Sequence, residues 1–132
     1  MKSREGLIRL KRFHVEEKRR RVSQIEAMIA EFERMAKDLD DQILTEQERS
    51  GIHDAGHFAY PTFAKAAMQR RDNLNASALE LRQQLAAAKA ECDEAAAELA
   101  KAEAIAERDQ ANDKHSGHGA LAEPRGASVA VR

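Results

Sequence analysis

The chain has 132 residues, enough for one domain, of which 34% are charged and 42% apolar, with four Phe, one Tyr and no Trp. Much of the apolar share is Ala, so a thick globular core is excluded, while a seam between long helices is not. A single cysteine, Cys92, excludes an intramolecular disulfide, and a net charge of -1 argues against a generic polyanion binder. No apolar stretch approaches the roughly 20 residues that span a bilayer, and the N-terminus lacks the apolar region of a signal peptide, so cytoplasmic residence is the expectation.

The first helix is predicted over about residues 3–50, from the N-cap residue Ser3 to Gly51 at the C′ position. Within it Val22, Ile25, Ile29, Phe32, Ala36, Leu39 and Ile43 follow alternating steps of three and four, a coiled-coil seam over three heptads. Met28 and Met35 widen the stripe on one side. Traced backwards, the frame reads Lys18, Val15, Lys11 and Ile8, so lysines dilute the seam near the N-terminus. Residues 51–60 form a short hinge, which suits antiparallel neighbours.

The second helix is predicted over about 61–110, opening at Tyr60–Pro61, because proline is favoured at the first helical position. Its frame reads Tyr60, Ala64, Ala67, Arg71, Leu74, Ala78, Leu81, Leu85, Ala88, Cys92, Ala95, Leu99, Ala102 and Ala106. At 1.5 Å per residue, each helix would extend about 70 Å.

Charge selects the orientation. Residues 1–21 carry nine basic and three acidic side chains, net +6, and residues 22–49 carry three and eight, net -5. Residues 62–89 are net +3 (five against two), and residues 90–110 net -5 (two against seven). Folding back near residue 55 sets +6 against -5 and -5 against +3, whereas a parallel pairing sets like against like. The expected fold is therefore all-α: a long antiparallel two-helix coiled-coil hairpin over residues 1–110. The remaining 111–132, with three Gly, one Pro and no period, have too little apolar surface to offset ordering entropy and are expected to form a disordered tail.

Candidate chemistry is sparse. His53 and His57 are four apart, a metal-ligand spacing on a helix, but a glycine-bearing hinge holds them and no further ligand is near; two solvated turn histidines explain the pair more simply. His115 and His118 lie in the tail. Cys92 at a seam position is a small buried apolar residue with no base beside it. Glu16–Glu17 and Asp40–Asp41 are adjacent carboxylates that point apart on a helix. There is no glycine-rich phosphate loop or nucleophile elbow, and nothing supports an enzyme, a cofactor or a small-molecule substrate.

Two features read as partner surfaces. The basic opening holds Arg4, Arg9, Lys11, Arg12, Lys18, Arg19, Arg20 and Arg21. Pairing with the acids of 91–109 accounts for much of it, and the remaining collar suits an acidic protein better than nucleic acid, since no base-reading module accompanies it. The second feature is Phe58, Tyr60 and Phe63, three of five aromatics at the hinge. They either plug the hairpin tip or continue into Ala67, Met68 and Leu74 as a docking surface.

Several strings narrow the reading: Arg9-Leu-Lys-Arg-Phe-His-Val-Glu-Glu-Lys-Arg-Arg-Arg-Val, Gln24-Ile-Glu-Ala-Met-Ile, His57-Phe-Ala-Tyr-Pro-Thr-Phe and Gln69-Arg-Arg-Asp-Asn-Leu. Over about residues 1–110 the chain resembles the flagellar export protein FliJ family in its alphaproteobacterial form. The resemblance implies a non-enzymatic part of the flagellar type III export apparatus, cytoplasmic and peripheral to the inner face of the membrane. That part is shaped like the stalk of a rotary ATPase. The implied partners are the export ATPase FliI, the export gate protein FlhA and substrate chaperones. It would place ATPase contacts at Arg4, Arg9, Lys11, Arg12, Lys18, Arg19 and Arg20, and gate contacts on the second helix at Phe63, Met68, Arg70, Arg71 and Leu74. A general coiled-coil chaperone or adaptor, and a basic nucleic-acid-associated protein, are the readings from other classes. Removing residues 112–132 is expected to leave the thermal midpoint unchanged; a fall of several degrees would show that the segment docks elsewhere on the chain.

Overall fold

A computed structural model describes the backbone of residues 2–131 and the side chains of residues 3–114. It holds two helices, α1 (Lys2–Ser50) and α2 (Thr62–Val131), and no strand among the described residues. Helix α1 contains one glycine, Gly6, and no proline, and it stops where Gly51 adopts φ +75°, a left-handed conformation only glycine takes without strain. The Gly51 N–H donates to the Gln47 carbonyl at 2.9 Å, closing an αL cap, and Arg49 in the last turn complements the helix dipole.

The connector is tied by local bonds. Asp54 Oδ1 accepts from the Gly56 N–H (2.9 Å), the Asp54 carbonyl from the His57 N–H (3.0 Å), and the His57 carbonyl from the Tyr60 N–H (3.1 Å). Pro61 precedes α2, which begins at Thr62, one residue later than expected; the Pro61 carbonyl accepts the first helical bond, from Lys65, at 3.1 Å. Proline is thus the capping residue, contributing its carbonyl and a fixed φ where no N–H is needed.

The chain divides into two compact units, residues 18–92 and residues 1–17 with 93–132. In the first, Ile25, Ile29, Leu81 and Ala88 form one buried cluster with Val22, Phe32 and Leu85 packed against it, and Leu39, Ile43 and Ala67 form another with Met68 and Leu74. Ile25 is 1% exposed, and burying such a side chain contributes about 2 kcal/mol. In the second unit Val15 and Ala102 are buried, and Ile8, Lys11, Ala95, Leu99 and Ala106 are half-buried. That interior is thinner, because alanines and a lysine occupy the frame.

Every described position of both seam frames is buried or half-buried. Met35 is half-buried as expected, but Met28 is not part of the stripe: it is 45% exposed. Both methionines sit at a position flanking the seam, where exposure depends on what the facing helix supplies and not on the frame. Helix α2 runs past the expected boundary near 110, and residues 111–114 are helical with exposed side chains. The side chains of 115–132, on which most of the expected tail falls, lie outside the described residues.

Ion pairs join α1 to α2 within each unit. In residues 18–92 they are Lys18–Glu91 (3.4 Å), Glu26–Lys89 (4.0 Å), Glu33–Arg82 and Asp40–Arg71 (2.9 Å). In the other unit they are Arg4–Asp109 (3.2 Å), Lys11–Glu98 (3.8 Å) and Arg12–Glu103 (3.1 Å). In residues 18–92 the partner's number falls steadily as the α1 number rises. Each pair is partly or largely exposed, so each contributes little stability by itself.

Ile29→Asp and Leu81→Asp are expected to destabilise the fold by about 3 kcal/mol or more, since each puts an unpaired charge in a dry cluster. Glu31→Ala should hardly move the denaturation midpoint. A hydrogen bond from Arg34, then its charge, holds the Glu31 carboxyl below its usual range. That contribution is present at neutral pH and fades on acidification through the lowered pKa, and full exposure keeps it small. Equal effects in chemical denaturation would mean that the frame is misplaced.

Candidate partner-binding surfaces

The basic opening is mostly committed within the chain. In the unit of residues 1–17 and 93–132, Arg4, Lys11 and Arg12 pair with Asp109, Glu98 and Glu103, while Arg9 is exposed and makes no ion pair among the described residues. In the unit of residues 18–92, Lys18 pairs with Glu91 and Arg19 is engaged; Arg20 and Arg21 are exposed with no ion pair among the described residues. Helix geometry sorts them: Arg4, Lys11 and Lys18 recur at seven-residue intervals in the seam frame facing α2, whereas Arg9 and Arg20 lie on the far side of α1.

The hinge residues separate as sharply. Tyr60 is 7% exposed; its hydroxyl accepts from Gln47 Nε2 at 2.8 Å and donates to Met68 Sδ at 3.4 Å. Phe58 is 96% exposed and stacks on His57, with ring centroids 4.7 Å apart. His57 Nδ1 accepts from the Ala59 N–H at 3.0 Å, so the local turn orients this ring. Of the three aromatics Tyr60 is buried, while Phe58 and Phe63 are exposed.

The five second-helix positions do not form one open face. Leu74 packs on the Leu39, Ile43 and Ala67 cluster, and Met68 is half-buried there and beneath the Tyr60 hydroxyl. Arg71 is half-buried and bridges Asp40 and Asp72, both at 2.9 Å; these hydrogen bonds, Asp40's first, hold its pKa above the ordinary guanidinium value. Phe63 and Arg70 are exposed, and Phe63 lines a shallow groove with Asp41, Gln42, Thr45 and Glu46. The α1 side of this groove was missed in the sequence. Its signal is the flank of the seam: Gln42 and Glu46 neighbour Ile43 at one and three residues' distance.

No group of three or more His, Cys, Asp or Glu side chains that could hold a metal occurs among the described residues. Cys92 is half-buried. No protein-family model, curated protein or solved structure matches this chain.

Tyr60→Phe removes the hydroxyl from a partly buried network and should cost about 1 kcal/mol in chemical denaturation. Phe58→Ser should leave the midpoint unchanged, because its ring already stands in water. A large loss from the second variant would place Phe58 in the core.

Proposed function

We propose that the chain is an antiparallel two-helix coiled-coil hairpin serving as a non-enzymatic, stalk-like component of a bacterial flagellar type III export apparatus. It would couple the export ATPase FliI to the export gate protein FlhA and escort substrate chaperones. The observation that carries this reading is the exposure of Phe58 and Phe63, the two outer aromatics of the hinge string that resembles the family. Aromatic side chains left in water beside an otherwise zipped pair of helices are the usual anchors of a protein partner.

Further support comes from the direction of the ion pairs within residues 18–92, which suits an antiparallel pairing. No helix among the described residues is long and apolar enough to cross a membrane. The reading therefore places the protein in the cytoplasm, at the inner face of the membrane through its partners. The unit that contains residues 1–17, with Arg9 and Arg12, engages the ATPase; Phe63 and Arg70 near the hinge engage the gate. Arg71, Met68 and Leu74 support that surface from beneath.

Reversing Arg9, Arg12 and Arg19 to Glu is expected to abolish stimulation of the ATPase and to spare gate binding, and the stimulation should weaken with salt. Phe63→Ala with Arg70→Glu should do the opposite. If the reversals spare the ATPase and the hinge pair removes its stimulation, the two ends exchange roles. Chaperone binding without any ATPase stimulation would favour the general adaptor reading.

A further inference from the structure

Within residues 18–92 the last turn of α1, the end of the connector and the second turn of α2 are tied at one point. Gln47 Nε2 donates to the Tyr60 hydroxyl at 2.8 Å, and that hydroxyl donates to Met68 Sδ at 3.4 Å. Tyr60 is 7% exposed, and Met68 is half-buried against the Leu39, Ile43 and Ala67 cluster. Among the described residues no hydrogen bond reaches the sulfur of Met28 or Met35. A thioether is a weak acceptor, so a buried phenol bonded to one is a strong donor facing a poor partner.

We propose that Met68 is a reversible oxidation site whose oxidised form is held by the Tyr60 hydroxyl. The oxidant is a hydroperoxide, of which hydrogen peroxide is the simplest. One lone pair of the sulfur receives the Tyr60 hydrogen bond, and the other attacks a peroxide oxygen. The O–O bond breaks as the S–O bond forms. Sulfur gives two electrons to the peroxide, and its second oxygen leaves as water with both protons.

The product is a strong acceptor set beside Leu39, Ile43 and Ala67, whose side chains offer it no donor. Tyr60 supplies one. Gln47 occupies the acceptor side of the phenol and so aims its O–H at residue 68. The sulfoxide is therefore satisfied in place and not driven out of the seam. Met68 is half-buried and not sealed, so a small oxidant reaches it, more slowly than Met28, which is 45% exposed.

The chain has one Tyr and no Trp, so its phenol emission reports this contact alone. The test treats the full chain with graded hydrogen peroxide and locates each added oxygen by peptide mass spectrometry. Met28 is expected to react first and Met68 after it. Tyr60 emission should change in step with Met68 and not with Met28, and a methionine sulfoxide reductase should restore it. In Met68→Leu the peroxide should leave the emission unchanged. In chemical denaturation, oxidation should raise the unfolding constant of Tyr60→Phe about fivefold more than that of the unaltered chain. The emission series needs no variant at residue 60 and decides the matter even where Tyr60→Phe folds poorly. Met68 left unoxidised once Met28 is fully converted overturns the proposal, as does emission that ignores Met68, or an equal loss of stability in the two backgrounds.

Discussion

Burial of Ile25 and Ile29 against Leu81, Leu85 and Ala88 is the contact on which the structure of residues 18–92 depends. A helix of this composition cannot hide its apolar residues against itself; it needs a second stripe of matching period. With four Phe, one Tyr and no Trp, the chain has few bulky side chains to fill a three-dimensional core, so its apolar residues serve the seam between helices instead. Packing is dense where Ile, Leu and Phe meet and sparse where Ala, Lys and Cys take the same frame positions. Within residues 18–92 the clusters around Ile25 and Ile43 supply cohesion, and within the unit of residues 1–17 and 93–132 Leu7 and Ile105 stay half in water.

Electrostatics has another task. The exposed pairs between α1 and α2 add little stability, and within residues 18–92 each sets a cation of one helix against an acid of the other. Lys11, Lys18 and Arg71 show how a cation sits in an apolar frame: the aliphatic stem lies in the seam and the charged head reaches an acid on the partner helix. The cations that face away from α2 are the ones left for other molecules. The functional reading therefore rests on a small remainder, with Arg9 and Arg20 standing for the basic opening and Phe63 and Arg70 for the hinge side.

The connector shows the same division on a smaller scale. Its backbone is closed by Gly51, Asp54 and His57 through short local bonds, and Tyr60 alone turns inward. A turn held by its own bonds can present Phe58 to solvent without loosening the helices it joins. Rigid presentation of an exposed aromatic lowers the ordering cost of binding, which is what a docking element requires.

Most of the fold was legible in the sequence, because a step of three and four is a statement about helix geometry that no other local structure satisfies. Ile25, Ile29, Ala36, Leu39, Ile43, Ala64, Ala67, Ala78, Leu81 and Ala88 are buried where that frame puts them, and Gly51 ends α1 where a positive φ is needed. The site was less legible. Arg70 and Arg71 are neighbours of identical type, yet one is open and the other is clasped between Asp40 and Asp72. Phe58 and Tyr60 are two residues apart, yet one is in water and the other in the core. By itself the sequence determined which residues lie on the seam, since periodicity is local. Only the tertiary structure decided which flanking cations and aromatics remain open, because that depends on what the opposite helix places across from each, and no local pattern encodes it.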